Sequence, residues 1–212
     1  MQVAIALFPR LTALDCIGPY EILQRIPSID ITFVGERRGE FRTENGMLGL
    51  TADATFDELP TPEIVLVPGG IGSREQMRGG PLVEWVRHAH RTTTFTTSVC
   101  TGSLILGAAG VLDGLTATTH WGALDTLATF GAKPITQRVV EHVAERVITA
   151  AGVSAGIDMA IRLLSLLFDD VAAQAAQVFC EYDPQPPFDA GHPSKVGADV
   201  MARLAEYRMA RS

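Results

Sequence analysis

The sequence predicts an α/β fold: a mostly parallel central sheet with helices on both faces, in one domain spanning residues 1–212. Three observations predict it. Short continuous apolar runs recur along the chain, as strands buried on both faces require. Stretches with helical apolar spacing fall between them, and that alternation is the mark of a parallel sheet. Finally, in TTTFTTSVCTGSLILGAAG a threonine-rich strand pattern stops at Cys100 and a small-residue helix pattern starts at once. That is an elbow with a thiol on it.

Taken in order, Val3–Phe8 is an apolar run ending before Pro9 and reads as the first strand. Gly18-Pro19 opens a helix with Ile22, Leu23 and Ile26 on one face, proline being suited to a first turn. Ile29–Val34 alternates as a second strand. Glu40–Thr51 carries Asn45-Gly46 between strand-like flanks, the signal of a hairpin. Glu63–Val67 is a buried strand running into Pro68-Gly69-Gly70, and Pro81–His90 is helical. Phe95–Val99 is the strand before Cys100, and Thr101–Ala109 the helix after it. Asp113-Gly114 marks a turn, and Trp121–Phe130 is amphipathic. Val139-Val140 and Val147–Thr149 read as paired strands. Ser154–Phe168 is the most apolar helix, Pro184, Pro186 and Pro187 break the chain, and Ala198–Met209 is a closing helix.

Composition narrows the functional classes. With 212 residues, 47% hydrophobic and 19% charged, the chain is long enough to bury a core and ordinary for a compact domain. A net charge of −7 with scattered basic residues argues against nucleic acid or an anionic membrane as partner. No apolar run reaches membrane-spanning length. The N-terminus MQVAIALFPR lacks a basic region before its apolar run, so it reads as a strand and not a signal peptide. Three cysteines argue against a disulfide framework, and a reducing cytoplasm is the expected compartment.

Ligands of such sheets lie beyond the carboxyl ends of the strands. Leu14-Asp15, Gly69-Gly70 and Cys100-Thr101 all leave a strand at that edge. At the elbow, unpaired N–H groups of the following helix face the thiol and favour thiolate, so a lowered Cys100 pKa is expected. Cys16 follows an acidic residue and Cys180 sits in an apolar helical stretch, so both read as packing. Asp15 is the candidate proton partner, with an N-cap role as its competing reading. Glu21 faces either the cleft or solvent. His120 is a second candidate base, whereas His88 and His90 read as exposed helix residues. Gly69-Gly70 is either plain turn chemistry or, with the Thr101 N–H, a pocket for developing negative charge. No zinc-ligand spacing is present.

SVCTGSLILGAAGVLDGLTATTHW, residues 98–121, resembles the nucleophile segment of the ThiJ/PfpI superfamily, within the flavodoxin-like, class I glutamine amidotransferase-like fold. LDCIGPYEIL, VPGGIG, AGVSAGIDMAI and EYDPQPPFDAG resemble that superfamily's isonitrile-hydrating branch in the same order, so the likeness spans nearly the whole chain. The resemblance implies Cys100 as nucleophile and Asp15 as its acidic partner, where many relatives carry glutamate. Gly70 and Thr101 match backbone amides that hold developing charge, and His120 matches a superfamily histidine. The resemblance further implies a small-molecule isonitrile substrate, no cofactor and a homodimer. Rival implications are a ligand-sensing module like the sensor domains of AraC-type regulators, or another thiol enzyme of the superfamily, a peptidase or a glyoxalase-like hydratase. An oxidative sensor is a third, since an exposed low-pKa thiol oxidises readily. The regulators carry C-terminal helix-turn-helix pairs, for which the residues after EYDPQPPFDAG offer one helix.

Overall fold

The computed structural model describes residues 1–209 and divides into two compact units, Met1–Glu181 and the described part of Tyr182–Ser212. The first unit runs β1 (Gln2–Ala6), α1 (Ala13–Leu23), β2 (Asp30–Gly35), β3 (Gly39–Arg42), β4 (Gly49–Ala52), β5 (Ala54–Thr55) and β6 (Ile64–Val67). It continues through α2 (Ser73–Gln76), α3 (Pro81–Ala89), β7 (Phe95–Val99), α4 (Gly102–Ala108), β8 (Thr116–Ala117), a 3-10 turn (Trp121–Ala123) and α5 (Leu124–Ala128). β9 (Lys133–Pro134), β10 (Val139–His142), β11 (Val147–Ala150), α6 (Ala155–Leu167) and α7 (Asp170–Phe179) complete it. The second unit holds a 3-10 turn, Pro193–Lys195, and α8 (Ala198–Met209), which buries no residue.

Seven strands form the main sheet in the order β10-β11-β7-β6-β1-β2-β5. Every neighbouring pair is parallel except β10 with β11. β1, β6 and β7 are buried almost throughout, which is why they read as unbroken apolar or threonine runs and not as alternations. Helices flank the sheet in two groups: α1, α6 and α7 pack on one another, and α2, α3 and α5 pack around α4. The hairpin at Asn45-Gly46 is β3–β4, with Phe41 opposite Leu50, and it stands apart from the main sheet. After β1 the chain moves to β2 on one side; after β6 it moves to β7 on the other. The carboxyl ends of β1 and β6 therefore flank the topological switch point, where open α/β sheets place their ligand crevice.

One expectation fails. Pro19 does not open α1 but lies inside it, six residues past its start at Ala13. The helix begins earlier, with Thr12 as N-cap, and Asp15 falls in the first turn and not at the cap. Proline has no N–H, so the carbonyl four residues back, that of Asp15, has no partner along the helix. Packing holds the helix together there: Gly18 faces Ile157 of α6, and Pro19, Ile22 and Leu23 are buried.

Candidate active site

β7 ends at Val99 and α4 starts at Gly102, so Cys100 and Thr101 make the whole turn. Cys100 takes φ +57°, a left-handed conformation that is uncommon outside glycine. Neighbouring hydrogen bonds hold it there. Its N–H donates to the Ala151 carbonyl at 2.9 Å, and its carbonyl accepts from Thr119 Oγ1 at 3.1 Å and Ser103 Oγ at 3.2 Å. Backbone strain fixed by so many partners is what a functional side chain at an elbow requires.

The β6–α2 turn closes over the elbow. At Gly69 a Cβ would stand 2.9 Å from Cys100 Cβ and 2.7 Å from Thr101 Oγ1, so only glycine fits. Gly70 has φ +124° and lies against the backbone of residues 10–12. The Gly69 N–H donates to Asp15 Oδ2 at 2.8 Å. Oδ1 of Asp15 is buried without a hydrogen bond of ordinary geometry, and the Cys100 thiol is the other hydrogen-bonding group that acts on this carboxyl. Asp15 has no exposed surface and Cys100 is 5% exposed.

Burial dominates the charge state of both groups. It pushes Asp15 up to about 7, against the Gly69 N–H and with help from the charge of Glu44. Burial, and then the charge of Asp15, push Cys100 up to about 12, against the N–H groups of Val153 and Thr101. The expected lowering of the Cys100 pKa is therefore overturned. The elbow N–H groups do favour thiolate, but loss of hydration outweighs them. Cys16 is fully buried, its thiol directed to the Ala6 carbonyl, and its pKa is raised by burial and by Asp15. Cys180 caps α7 and points at the Glu21 carbonyl at 3.5 Å.

The other candidates sort clearly. Thr101 Oγ1 accepts from the Gly70 N–H at 3.0 Å and from Ser73 Oγ at 2.9 Å, and lies 3.2 Å from the Gly70 carbonyl. The Gly70 N–H is thus occupied by Thr101 in this state, while the Thr101 N–H acts on the thiol. His120 Nδ1 accepts the Gly122 N–H at 3.1 Å and caps the 3-10 turn, which leaves the ring proton on Nε2. Its ring lies on Gly152, one residue from Val153. Glu21 is bonded to Gln24 and Arg25 along α1. His88 is exposed as expected, but His90 is half-buried against Thr96 at 3.0 Å, so its reading as an exposed residue is corrected. Among the described residues no group of His, Cys, Asp and Glu is arranged to hold a metal ion, and no helix is long and apolar enough to cross a membrane.

Sequence reasoning missed Ser73, Glu44 and Val153. Ser73 belongs to a four-residue helix, too short to leave a periodicity. Val153 takes φ +37°, which no β-branched residue advertises in sequence.

Fold and site together define a parallel α/β protein with a cysteine on a strand-to-helix elbow and a buried carboxyl beside it. Residues 1–166 match the model of the DJ-1/PfpI family, and the chain belongs to that family. It is 38% identical over 201 residues, 95% of this chain and 87% of the relative, to the isonitrile hydratase of Pseudomonas putida. It is 32% identical over 130 residues to the HTH-type transcriptional regulator CdhR of Pseudomonas aeruginosa, covering 60% of this chain and 37% of the regulator. Among solved structures, a ThiJ/PfpI family protein from Pseudomonas syringae superimposes with a TM-score of 0.91 at 35% identity, covering 97% of this chain and 85% of that one. DJ-1 of Schizosaccharomyces pombe shares the fold, with a TM-score of 0.73 at 19% identity over 88% of this chain and all of that one.

Proposed function

We propose that the chain is an isonitrile hydratase, converting R–N≡C and water to the N-substituted formamide through Cys100 and Asp15. The observation that carries the reading is the buried Asp15–Cys100 pair at the elbow, in a chain similar along nearly its whole length to a protein of that activity. The regulators are matched over a smaller part of both chains, which favours the enzyme over a sensing module.

The reaction follows from the pair's proton. Cys100 attacks the terminal carbon of the isonitrile while Asp15 takes the thiol proton. Asp15 then gives that proton to the same carbon, leaving the thioimidate R–N=CH–S–Cys100. Asp15, again a carboxylate, takes a proton from water as it adds to this carbon and passes it to nitrogen. The tetrahedral intermediate expels the sulfur, its hydroxyl proton returns to the thiol through Asp15, and R–NH–CHO leaves. Division into two easier additions is the purpose of a covalent nucleophile. The Thr101 N–H, already directed at the sulfur, steadies its charge as it forms and leaves. His120, whose ring lies on Gly152, is assigned to substrate binding.

The reading takes the chain as one domain acting as a cytoplasmic homodimer on a small molecule. Its test is direct. Purified protein is mixed with an alkyl or aryl isonitrile and the formamide followed by chromatography. Turnover by the native chain and none by Cys100→Ala is expected; a folded native protein that forms no formamide refutes the reading.

A further inference from the structure

We propose that Glu44, at the tip of the β3–β4 hairpin, is a positioning residue for Asp15. Its carboxylate pins the turn that presents the Gly69 N–H, and its negative charge acts on the Asp15 carboxyl. The inference rests on Asp15 being the proton partner of Cys100.

The hairpin is separate from the main sheet, yet its tip is stitched to the site. Arg10 N–H donates to the Arg42 carbonyl at 2.8 Å, Leu11 and Thr43 form an isolated parallel bridge, and Glu44 N–H donates to the Leu11 carbonyl at 3.2 Å. The Glu44 side chain then crosses to the second loop: Oε1 accepts the Ile71 N–H at 2.9 Å. Thr12 N–H donates to the Gly69 carbonyl at 2.9 Å and ties the two loops together. Glu44 thus joins the segment that leads into Asp15 to the turn that holds its Oδ2. A hairpin of no catalytic chemistry of its own has reason to reach this edge if it fixes both loops.

Two titratable groups act on Asp15, Cys100 on the elbow and Glu44 on the hairpin, while Asp15 in turn raises the pKa of its neighbour Cys16. No cation is among the groups that shift it, and Glu44 is the one anion acting through charge alone. The two roles of Glu44 separate by substitution. Glu44→Gln removes the charge and keeps an oxygen for the Ile71 N–H; Glu44→Ala removes both.

The probe is iodoacetamide, with labelling of Cys100 quantified by mass spectrometry across pH so that the partly exposed Cys180 does not confuse it. This measurement needs no isonitrile, so it stands whether or not formamide is formed. In Glu44→Gln the midpoint of the labelling profile moves to lower pH, by on the order of half a unit for one partly screened charge; in Glu44→Ala the loosened Gly69 N–H, which holds the Asp15 pKa down, offsets that shift. The high-pH labelling rate of Glu44→Gln stays near native, while Glu44→Ala falls roughly fivefold, the equivalent of one ordinary hydrogen bond. A native midpoint in Glu44→Gln, or a Gln variant as slow as the Ala variant, overturns the proposal. Native labelling with no formamide from any isonitrile refutes the proposed activity and leaves the Glu44 result standing.

Discussion

Ionised Asp15 makes Cys100 harder to ionise, whereas the Cys100 thiol makes Asp15 easier to ionise. The asymmetry fixes where the last shared proton rests. Above about pH 7 the pair is a carboxylate facing a thiol, and in the proposed reaction the thiolate appears only as Asp15 takes the proton during attack. A resting thiol needs no counter-cation in a buried site, and the base assigned to activate it in the proposed reaction is already beside it.

The rate of isonitrile hydration therefore rises with pH through about 7 and is flat above it. Below that midpoint Asp15 holds its own proton and cannot accept one from Cys100. A pH–kcat/KM profile of the native protein checks this. Asp15→Asn loses the limb and about 10²–10⁴-fold in rate, the ordinary worth of a positioned acid–base group. A profile with its rise near the pKa of a free thiol points to Cys100 titrating alone and rejects the pairing.

Stability carries the opposite sign. The Asp15 pKa is raised from 3.8 to about 7, so its neutral form is the one folding prefers. Its favourable contribution is complete below pH 3.8, is lost progressively as pH rises toward about 7, and is absent above that. Asp15→Asn cannot ionise and escapes the loss. At pH 8 it is expected to be more stable than native by roughly 2–4 kcal/mol, and near native at pH 4. Urea unfolding at the two pH values measures the difference. A variant destabilised equally at both shows that the carboxylate is well solvated.

The fold was legible where burial dictated sequence. Phe95–Val99 reads as a strand to the residue, because every one of its side chains is buried and four of the five are β-prone. Cys100 and the turns bearing Asp15 and Gly69-Gly70 are legible from connectivity, since each follows a parallel strand and so reaches the same edge. The start of α1 was not legible: Pro19 looks like a helix opener, and only packing against α6 keeps it inside. The thiol's charge state was not legible either. Helix N–H groups can be read from sequence, but the desolvation that outweighs them is a property of the assembled site. Ser73 and Glu44 reach the site through loops whose paths no periodicity encodes.

Thr101 is expected to matter through its hydroxyl. Oγ1 is the acceptor for the buried Gly70 N–H and for Ser73 Oγ. Thr101→Val keeps the shape and orphans both donors, at a cost of about 1–3 kcal/mol each where water cannot reach. Thr101→Ser restores the acceptor and should recover most of that loss. Chemical denaturation of the two variants decides it; equal stability of Val and Ser variants shows that the Gly70 N–H has another partner.

His120 is the residue whose two roles are best separated by one substitution. Nδ1 closes the 3-10 turn by accepting the Gly122 N–H, a job an asparagine oxygen performs equally well at an N-cap. Its ring lies on Gly152, one residue before Val153, whose N–H acts on the thiol. In the proposed reaction Asp15 carries the proton in each step, which assigns His120 to orientation and not to acid–base work. His120→Asn is therefore expected to fold with native stability and to raise KM for an isonitrile, with kcat reduced less than tenfold, below the range typical for loss of a general base. Steady-state kinetics across pH test it. A loss of kcat beyond a hundredfold, with the limb near pH 7 displaced, would make the imidazole and not the carboxyl the base that activates Cys100.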